Sequence, residues 1–497
     1  MIRIMIRIMI QIGKIVLYLG CFLSCTALAT PVIKVGSKSF TESYVLAEII
    51  SQILEDTGEF QVDRKFGMGG TGFLFKALEN NEIDLYPEYT GTISDAILKN
   101  PRFSTISLIR EALDTQGLII SESLGFNNTY ALAVREELAE RYSLKKISDL
   151  NFHPQIKTVF SYEFLKREDG YLGLKRIYNL KLKHVRGMEH SLVYTALEKK
   201  EVDLTDIYST DAKLSQLKLK ILQDNKSFFP TYYAVILAQK NFIEKHPKAW
   251  SALKKLEGSI SEKKMIELNA MADLEKKSFP EIAATFLGKS SPTPVKIWQE
   301  LKTRTRQHVF LVFVSLLAAT LAGIPLGILA SRSKILGQII LLFSGLLQTI
   351  PSLALLCFLI PLFGIGTLPS LVALFLYGLL PIVRNTYTGI LSIDNKLIEV
   401  SKALGFSSWQ KLRLVELPLA SRNIMAGLHT SAVISVGTAT LAALIGAGGY
   451  GALIVTGLAL NNTNLILQGA IPAAIMALLV HGIFELLNKV IIPEGIR

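Results

Sequence analysis

Two hydrophobic patterns divide this chain of 497 residues. Between residues 32 and 300, short apolar runs alternate with charged and polar stretches; from 309 to 490, Leu, Ile, Val, Ala, Gly and Phe dominate and charges are few. The first pattern suits a domain that builds its core in water, the second a set of helices in lipid. V-I-K-V-G (32–36) predicts a strand, and T-E-S-Y-V-L-A-E-I-I-S-Q-I-L-E (41–55) has the spacing of an amphipathic helix. A strand near 60–66, a loop G-M-G-G-T-G (67–72), a helix F-L-F-K-A-L-E-N (73–80) and a strand I-D-L-Y (83–86) come next. Such alternation predicts an α/β fold with mainly parallel strands. A second α/β region spans about Phe126 to Phe229, and S-S-P-T-P (290–294) reads as a linker between the two halves.

Beyond the linker five apolar spans are expected, at about 308–330, 336–363, 368–388, 425–448 and 466–488. Each is long enough to cross a hydrocarbon layer of roughly 30 Å. Positive-inside bias places the loop Ser331-Arg332-Ser333-Lys334, the polar segment 394–424 and the end from Lys489 to Arg497 in the cytoplasm. Five crossings from an outside start put all three on that side. The run Lys302-Thr303-Arg304-Thr305-Arg306 falls outside, against the bias, but a large exported domain ahead of it weakens its influence. Prolines and glycines inside the spans (A-G-I-P-L-G-I-L-A, Q-T-I-P-S-L-A) are tolerated where neighbouring helices satisfy the freed backbone groups.

Arg3, Arg7 and Lys14 precede an apolar stretch, and Ala27-Leu28-Ala29 offers small residues for cleavage. Residues 1–30 are therefore expected to be a signal peptide or, uncleaved, an anchor; both outcomes export residue 32 onward. Cys21 and Cys25 lie in that segment and Cys357 in a span, so the exported domain needs no disulfide. The net charge of +12 is scattered among acidic residues, with no arginine-rich arm or zinc-ligand spacing, which argues against a nucleic-acid partner. The seven histidines form no ligand pair, and no metal site is expected. G-M-G-G-T-G lacks the G-K-[ST] ending of a phosphate loop, and Gly288-Lys289-Ser290 has Ala283 where the first glycine belongs. The chain is not expected to hydrolyse ATP.

Between the third and fourth spans lies E-V-S-K-A-L-G-F-S-S-W-Q-K-L-R-L-V-E-L-P-L (399–419). On its own this is an amphipathic interfacial helix with Trp409 as an anchor. Its spacing resembles the E-A-A-x-x-x-G-x(9)-I-x-L-P coupling motif of ABC importer permeases: Glu399, Gly405, Leu417 and Pro418 match, with Val400 and Ser401 for the two alanines and Val415 for the isoleucine, and Ala403 lies in the same coupling segment. The resemblance implies a short helix that docks on a separate ATPase subunit, which would use the ATP and Mg; this chain would carry no cofactor. It also implies a second copy of the chain across a two-fold pore, in membrane lipid.

The exported half is similar to binding proteins of the glycine betaine/choline/carnitine uptake family. V-G-S-K-S-F-T-E (35–42), D-L-Y-P-E-Y-T-G-T (84–92), N-N-T-Y-A-L-A-V (127–134), E-F-L-K-R-E-D-G (163–170), D-I-Y-S-T-D (206–211) and F-F-P-T-Y-Y (228–233) carry the likeness. It implies a two-lobed α/β periplasmic-binding-protein fold (type II) over 31–290, a linker at 291–307, and an all-α transmembrane permease bundle of about five helices over 308–497, with the coupling loop at 394–424. The setting would be a bacterial inner membrane with the binding domain on the periplasmic or extracellular side. Quaternary ammonium has no N–H to donate, so aromatic faces must select it. The resemblance places that cage at Tyr89, Tyr130, Tyr208 and Tyr232, with Asn128 beside it where some relatives have Asp. Lys38, Thr92 and Arg167 match the positions that hold a ligand carboxylate. Taken singly, each tyrosine reads as a half-buried core ring; the four together make the argument. Tyr86, Tyr171, Tyr194 and Tyr233 read as packing, and Asp84 and Glu88 as local caps or pairs.

Two other classes compete. A membrane receptor built on a binding domain lacks, here, any cytoplasmic signalling domain. A hydrolase using Ser37, Ser39 or Ser209 lacks a histidine or other base motif beside them.

Overall fold

The computed structural model describes residues 30–290 and 297–492, apart from 101, 104 and 461. The expected signal segment up to residue 29, with Cys21 and Cys25, lies outside the described residues.

Among the described residues, ten strands make two sheets: β1 (Val32–Gly36), β2 (Gln61–Lys65), β3 (Leu85–Tyr89), β4 (Leu118–Ile120), β5 (Tyr130–Arg135), β6 (Thr158–Ser161), β7 (Val185–Met188), β8 (Leu204–Tyr208), β9 (Leu219–Leu222) and β10 (Ala234–Gln239). The order is β2-β1-β3-β10-β4 in the first lobe and β7-β6-β8-β5-β9 in the second. The pairing is mixed rather than mainly parallel. β1–β2, β1–β3, β6–β7 and β6–β8 are parallel, but β10 runs antiparallel to β3 and β4, and β5 to β8 and β9. The reason is topological: β5 and β10 are the strands by which the chain enters one lobe from the other. The two crossings run side by side, with Leu124 N–H donating to Ala234 O (2.8 Å) and Asn128 N–H to Tyr232 O (3.0 Å).

Alternation in β1 buries Ile33 and Val35 completely against the helix Thr41–Asp56, whose Val45, Leu46, Ile49 and Ile50 form the facing stripe. β3 runs three residues past the predicted I-D-L-Y, through Pro87 to Tyr89. Its pairing with β1 ends at Leu85, so Pro87 removes no donor from that ladder.

In the membrane half, three described helices are long and apolar enough to cross a bilayer: Trp298–Arg332, Thr367–Leu391 and Thr463–Ile491. The second predicted span is broken at Pro351 into Lys334–Thr349 and Ser352–Phe363, bent by 100°. The fourth begins earlier than predicted, as the helix Leu417–Thr438, and passes through a 3-10 turn (Leu441–Ile445) into Tyr450–Ala459, an apolar helix the sequence pattern did not separate. The first span reaches back to Ile297, so residues 297–307, expected as linker, are helical and continuous with it.

The binding domain rests on one end of this bundle. Met68 lies against Gly446, Glu82 against Gly364, and Ser191 Oγ donates to Leu458 O at 3.0 Å. The helix Thr367–Leu391 leads from that contact to the polar segment, a distance of roughly 37 Å at 1.5 Å per residue.

Candidate functional site

The predicted ligand residues converge on the seam between the lobes. Tyr130 opens β5 and Tyr208 closes β8, and the antiparallel register sets them opposite each other. Their ring centroids are 5.2 Å apart; Tyr232, from the returning crossing, meets Tyr130 edge-on at 5.5 Å. Tyr89, at the end of β3, joins this group through a ring that sequence reasoning passed over: Phe40 lies 6.3 Å from Tyr89 and 5.5 Å from Tyr208. Phe164, 4.9 Å from Tyr130, and Phe229 back the cluster. Tyr89, Tyr130 and Tyr232 are buried, and Tyr208 is half-buried. Gly91 allows this packing, because a Cβ there would stand 2.6 Å from the Tyr232 ring.

The polar residues predicted for the other end of a ligand are also at the seam, and they are paired. Lys38 Nζ donates to Glu88 Oε1 at 2.5 Å and lies 5.6 Å from the Tyr89 ring centre. Arg167 pairs with Asp169, donates to Thr92 Oγ1 at 3.4 Å, and sits 5.9 Å from the Tyr130 ring centre. Asp169 also accepts from Tyr232 Oη at 2.7 Å, so the Arg167 arm is tied to the cage. Glu88 is paired, but with the lysine assigned to the ligand, 50 residues away in sequence, rather than with a local group. Burial pushes the Glu88 carboxyl up, with Lys38 opposing. Asp84 accepts from Lys34 N–H at 2.7 Å.

Asn128 reaches the cage through Glu42, donating to its Oε1 at 2.8 Å. Glu42 and Asp169 lay within motifs already recognised but had no role assigned, because their partners are distant in sequence. A third missed group is His190, whose ring lies 4.4 Å from Tyr208 and whose Nε2 is 3.0 Å from Asp211 Oδ2. Among the tyrosines read as packing, Tyr86 and Tyr171 are buried, and Tyr194 is buried and donates to Asp211. Tyr233 is instead largely exposed.

The segment with the coupling spacing forms two short helices, Asn395–Ala403 and Ser408–Lys411, before the turn Leu412–Glu416 and the helix Leu417–Thr438. Gly405 has φ +75°, the left-handed conformation that ends the first helix, and a Ser407/Gln410 capping box starts the second. Glu399, Ala403 and Gly405 are exposed, whereas Leu417 and Pro418 are half-buried. Leu397, Val400, Leu404 and Trp409 are exposed beside them. Glu416, buried, receives both Arg332 Nη1 (3.0 Å) and Nη2 (2.6 Å), which ties this segment to the end of the first membrane helix.

Comparison with known proteins agrees with both halves. Residues 31–289 match the substrate-binding domain of ABC-type glycine betaine transport systems, and residues 323–494 the inner membrane component of binding-protein-dependent transport systems. The chain belongs to this family: it joins the binding domain and the permease domain of a betaine-type ABC importer in one polypeptide. Among relatives, the glycine betaine/carnitine/choline transport system permease protein OpuCB of Bacillus subtilis is 40% identical over 198 residues, 40% of this chain and 91% of the relative. The carnitine transport permease protein OpuCB of Listeria monocytogenes is 43% identical over 197 residues, 40% of this chain and 90% of the relative. The ergothioneine transport permease/ergothioneine binding protein EgtU of Helicobacter pylori is 36% identical over 258 residues, 51% of this chain and 46% of the relative. The family is one of transport subunits, not enzymes.

Proposed function

We propose that this chain is the binding and permease subunit of an ATP-driven importer for a trimethylammonium solute: glycine betaine, carnitine, choline or a related betaine such as ergothioneine. The observation that carries the reading is the ring cluster Tyr130–Tyr208–Tyr232, extended through Phe40 to Tyr89, at the seam where two lobes close. Ring faces attract a diffuse cation by about 0.5–2 kcal/mol each, so four give about 2–8 kcal/mol. Micromolar binding needs about 8 kcal/mol. Rings alone fall at or below that figure, and the ligand's other end supplies the remainder. A carboxylate there meets Lys38, Thr92 and Arg167 through donors not taken by Glu88 and Asp169.

In this reading residues 31–290 bind the solute outside the cytoplasm, 291–307 link, and 308–497 form the pore with a second copy. The exposed apolar residues around Glu399, Ala403 and Gly405 meet a separate ATPase, which supplies ATP and Mg, while Leu417 and Pro418 start the helix that carries the movement inward. A sensory receptor would have no use for that segment.

Reconstituting the chain with its ATPase in lipid vesicles and following labelled solutes tests the proposal. ATP-dependent accumulation of a trimethylammonium solute supports it; accumulation of none of the four, with an ATPase that assembles and turns over, overturns it.

A further inference from the structure

Several acids around the ring cluster have cationic partners, whereas Glu163, bonded to Thr71 N–H, and Glu42 have none among the described residues. Glu88 has Lys38, Asp169 has Arg167, and Asp211 has His190. Glu42, 2% exposed, has no cationic partner among the described residues. It is held instead by four neutral donors. Oε1 accepts from Tyr89 Oη (2.6 Å) and Asn128 Nδ2 (2.8 Å); Oε2 accepts from Thr210 Oγ1 (2.5 Å) and Asn269 Nδ2 (3.0 Å). The Asn269 amide is fixed as a donor by a second bond to Thr210 O at 3.1 Å. Each of the four can donate to the ionised form, and the Tyr89 and Thr210 hydroxyls can also accept a carboxyl proton. Burial pushes this carboxyl up, and the donors Thr210, Tyr89, Asn269 and Asn128 oppose it.

A buried carboxyl held only by dipoles is raised toward its neutral form, and an arriving cation favours its charged form. The placement says which cation. Glu42 holds the hydroxyl of the ring at Tyr89, and the amide beside it is a neutral asparagine that brings no charge of its own. Donation from Tyr89 Oη to a carboxylate moves electron density into that ring and strengthens its attraction for a cation. Thr210 comes from the second lobe, so all four donors are assembled when the lobes are closed.

We infer that Glu42 is a specificity-determining residue: its carboxylate is the counter-charge of the bound ligand's cationic end, acting through Tyr89 and Asn128, and it makes the site discriminate a quaternary ammonium from a neutral group of the same shape. The inference rests on the proposed trimethylammonium ligand.

The test compares two isosteric pairs on the full chain in lipid nanodiscs: choline against 3,3-dimethylbutan-1-ol, and glycine betaine against 3,3-dimethylbutanoate. In each pair carbon replaces the charged nitrogen. Wild type is expected to prefer the ammonium member. Glu42→Gln is expected to reduce that preference on the order of a hundredfold, what a unit charge about 6 Å away is worth at an effective dielectric near 20. Thr210→Val removes one donor and a contact between the lobes but keeps the charge; it is expected to weaken both members alike. If Glu42→Gln also weakens both members alike, Glu42 only holds the lobes together and the inference is overturned. Should that variant not fold, Tyr89→Phe keeps the ring and removes its donation to Glu42. A fall in the preference of about threefold then supports the inference, and an unchanged preference overturns it. If wild type binds no trimethylammonium compound, it is the proposed function that falls.

Discussion

Tyr130 is the centre of the ring cluster, and replacing it tests the cage most cleanly. Its ring touches those of Tyr208, Tyr232 and Phe164 at 5.2, 5.5 and 4.9 Å, and the Arg167 guanidinium stands 5.9 Å away. Tyr130→Leu keeps an apolar side chain at the start of β5 but removes one π face. The loss is one ring's worth, about 0.5–2 kcal/mol, or about 2- to 30-fold in Kd. Tyr130→Phe keeps the face, and its Kd is expected to stay within about twofold of wild type. In the proposed site the ring meets the ammonium end, so choline and glycine betaine are expected to lose affinity by the same factor. Leu in place of a buried aromatic also lowers stability by roughly 1–3 kcal/mol, so melting temperature is measured in parallel to confirm a folded domain. Calorimetric titration of the full chain in nanodiscs reads all of this. Leu binding as tightly as Tyr, or Phe losing as much as Leu, refutes the reasoning.

Three further outcomes follow from contacts elsewhere. Gly91→Ala drives a methyl group into Tyr232, 2.6 Å from its ring carbons, and is expected to weaken ligand binding by about tenfold or more while leaving the permease half folded; unchanged titrations would show that Tyr232 can move without consequence. Arg332→Gln leaves Glu416 with Lys411 alone and is expected to cut ATP-dependent uptake several-fold without changing solute affinity, so a parallel loss of binding would contradict a role in transmission. His190, facing Asp206, Asp211, Tyr194 and Lys213, is pulled down most by burial, but Asp211 and Asp206 together raise it above its ordinary value. A histidine raised on folding contributes stability that is fully present below about pH 6.5 and is lost as pH rises through its folded value. The melting temperature should therefore decline on going from pH 6 to pH 8–9, and His190→Gln should flatten that decline.

The sequence pattern was sufficient where structure is local. β1 and the helix Thr41–Asp56 follow from alternation and periodicity, whereas the coupling segment, read as one short helix, is split at Gly405 into two. The four tyrosines were recognisable because strand ends bring short motifs to one seam, and a motif keeps its spacing wherever the fold puts it. Glu42 was not legible: as a lone acid in a first helical turn it looks like any N-terminal helix charge, and its donors lie 86, 168 and 227 residues away as well as at Tyr89. Nor were the pairings that occupy Lys38 and Arg167, since Glu88 read as a local cap or pair and Asp169 had no role assigned. The break at Pro351 was hidden because hydropathy runs through it unbroken, and proline in a membrane span is compatible with a continuous helix. Mixed strand pairing escaped for a related reason: alternation of helix and strand does not reveal that β5 and β10 arrive from the opposite lobe.

Direct titration of the full chain with glycine betaine, carnitine, choline and ergothioneine, with wild type and Tyr130→Leu side by side, bears most immediately on the central claim. The account predicts that at least one of these solutes binds wild type at micromolar concentration or better, and that Tyr130→Leu weakens it by about 2- to 30-fold. No measurable binding of any of the four to a folded wild-type chain, or binding indifferent to the ring, would contradict it.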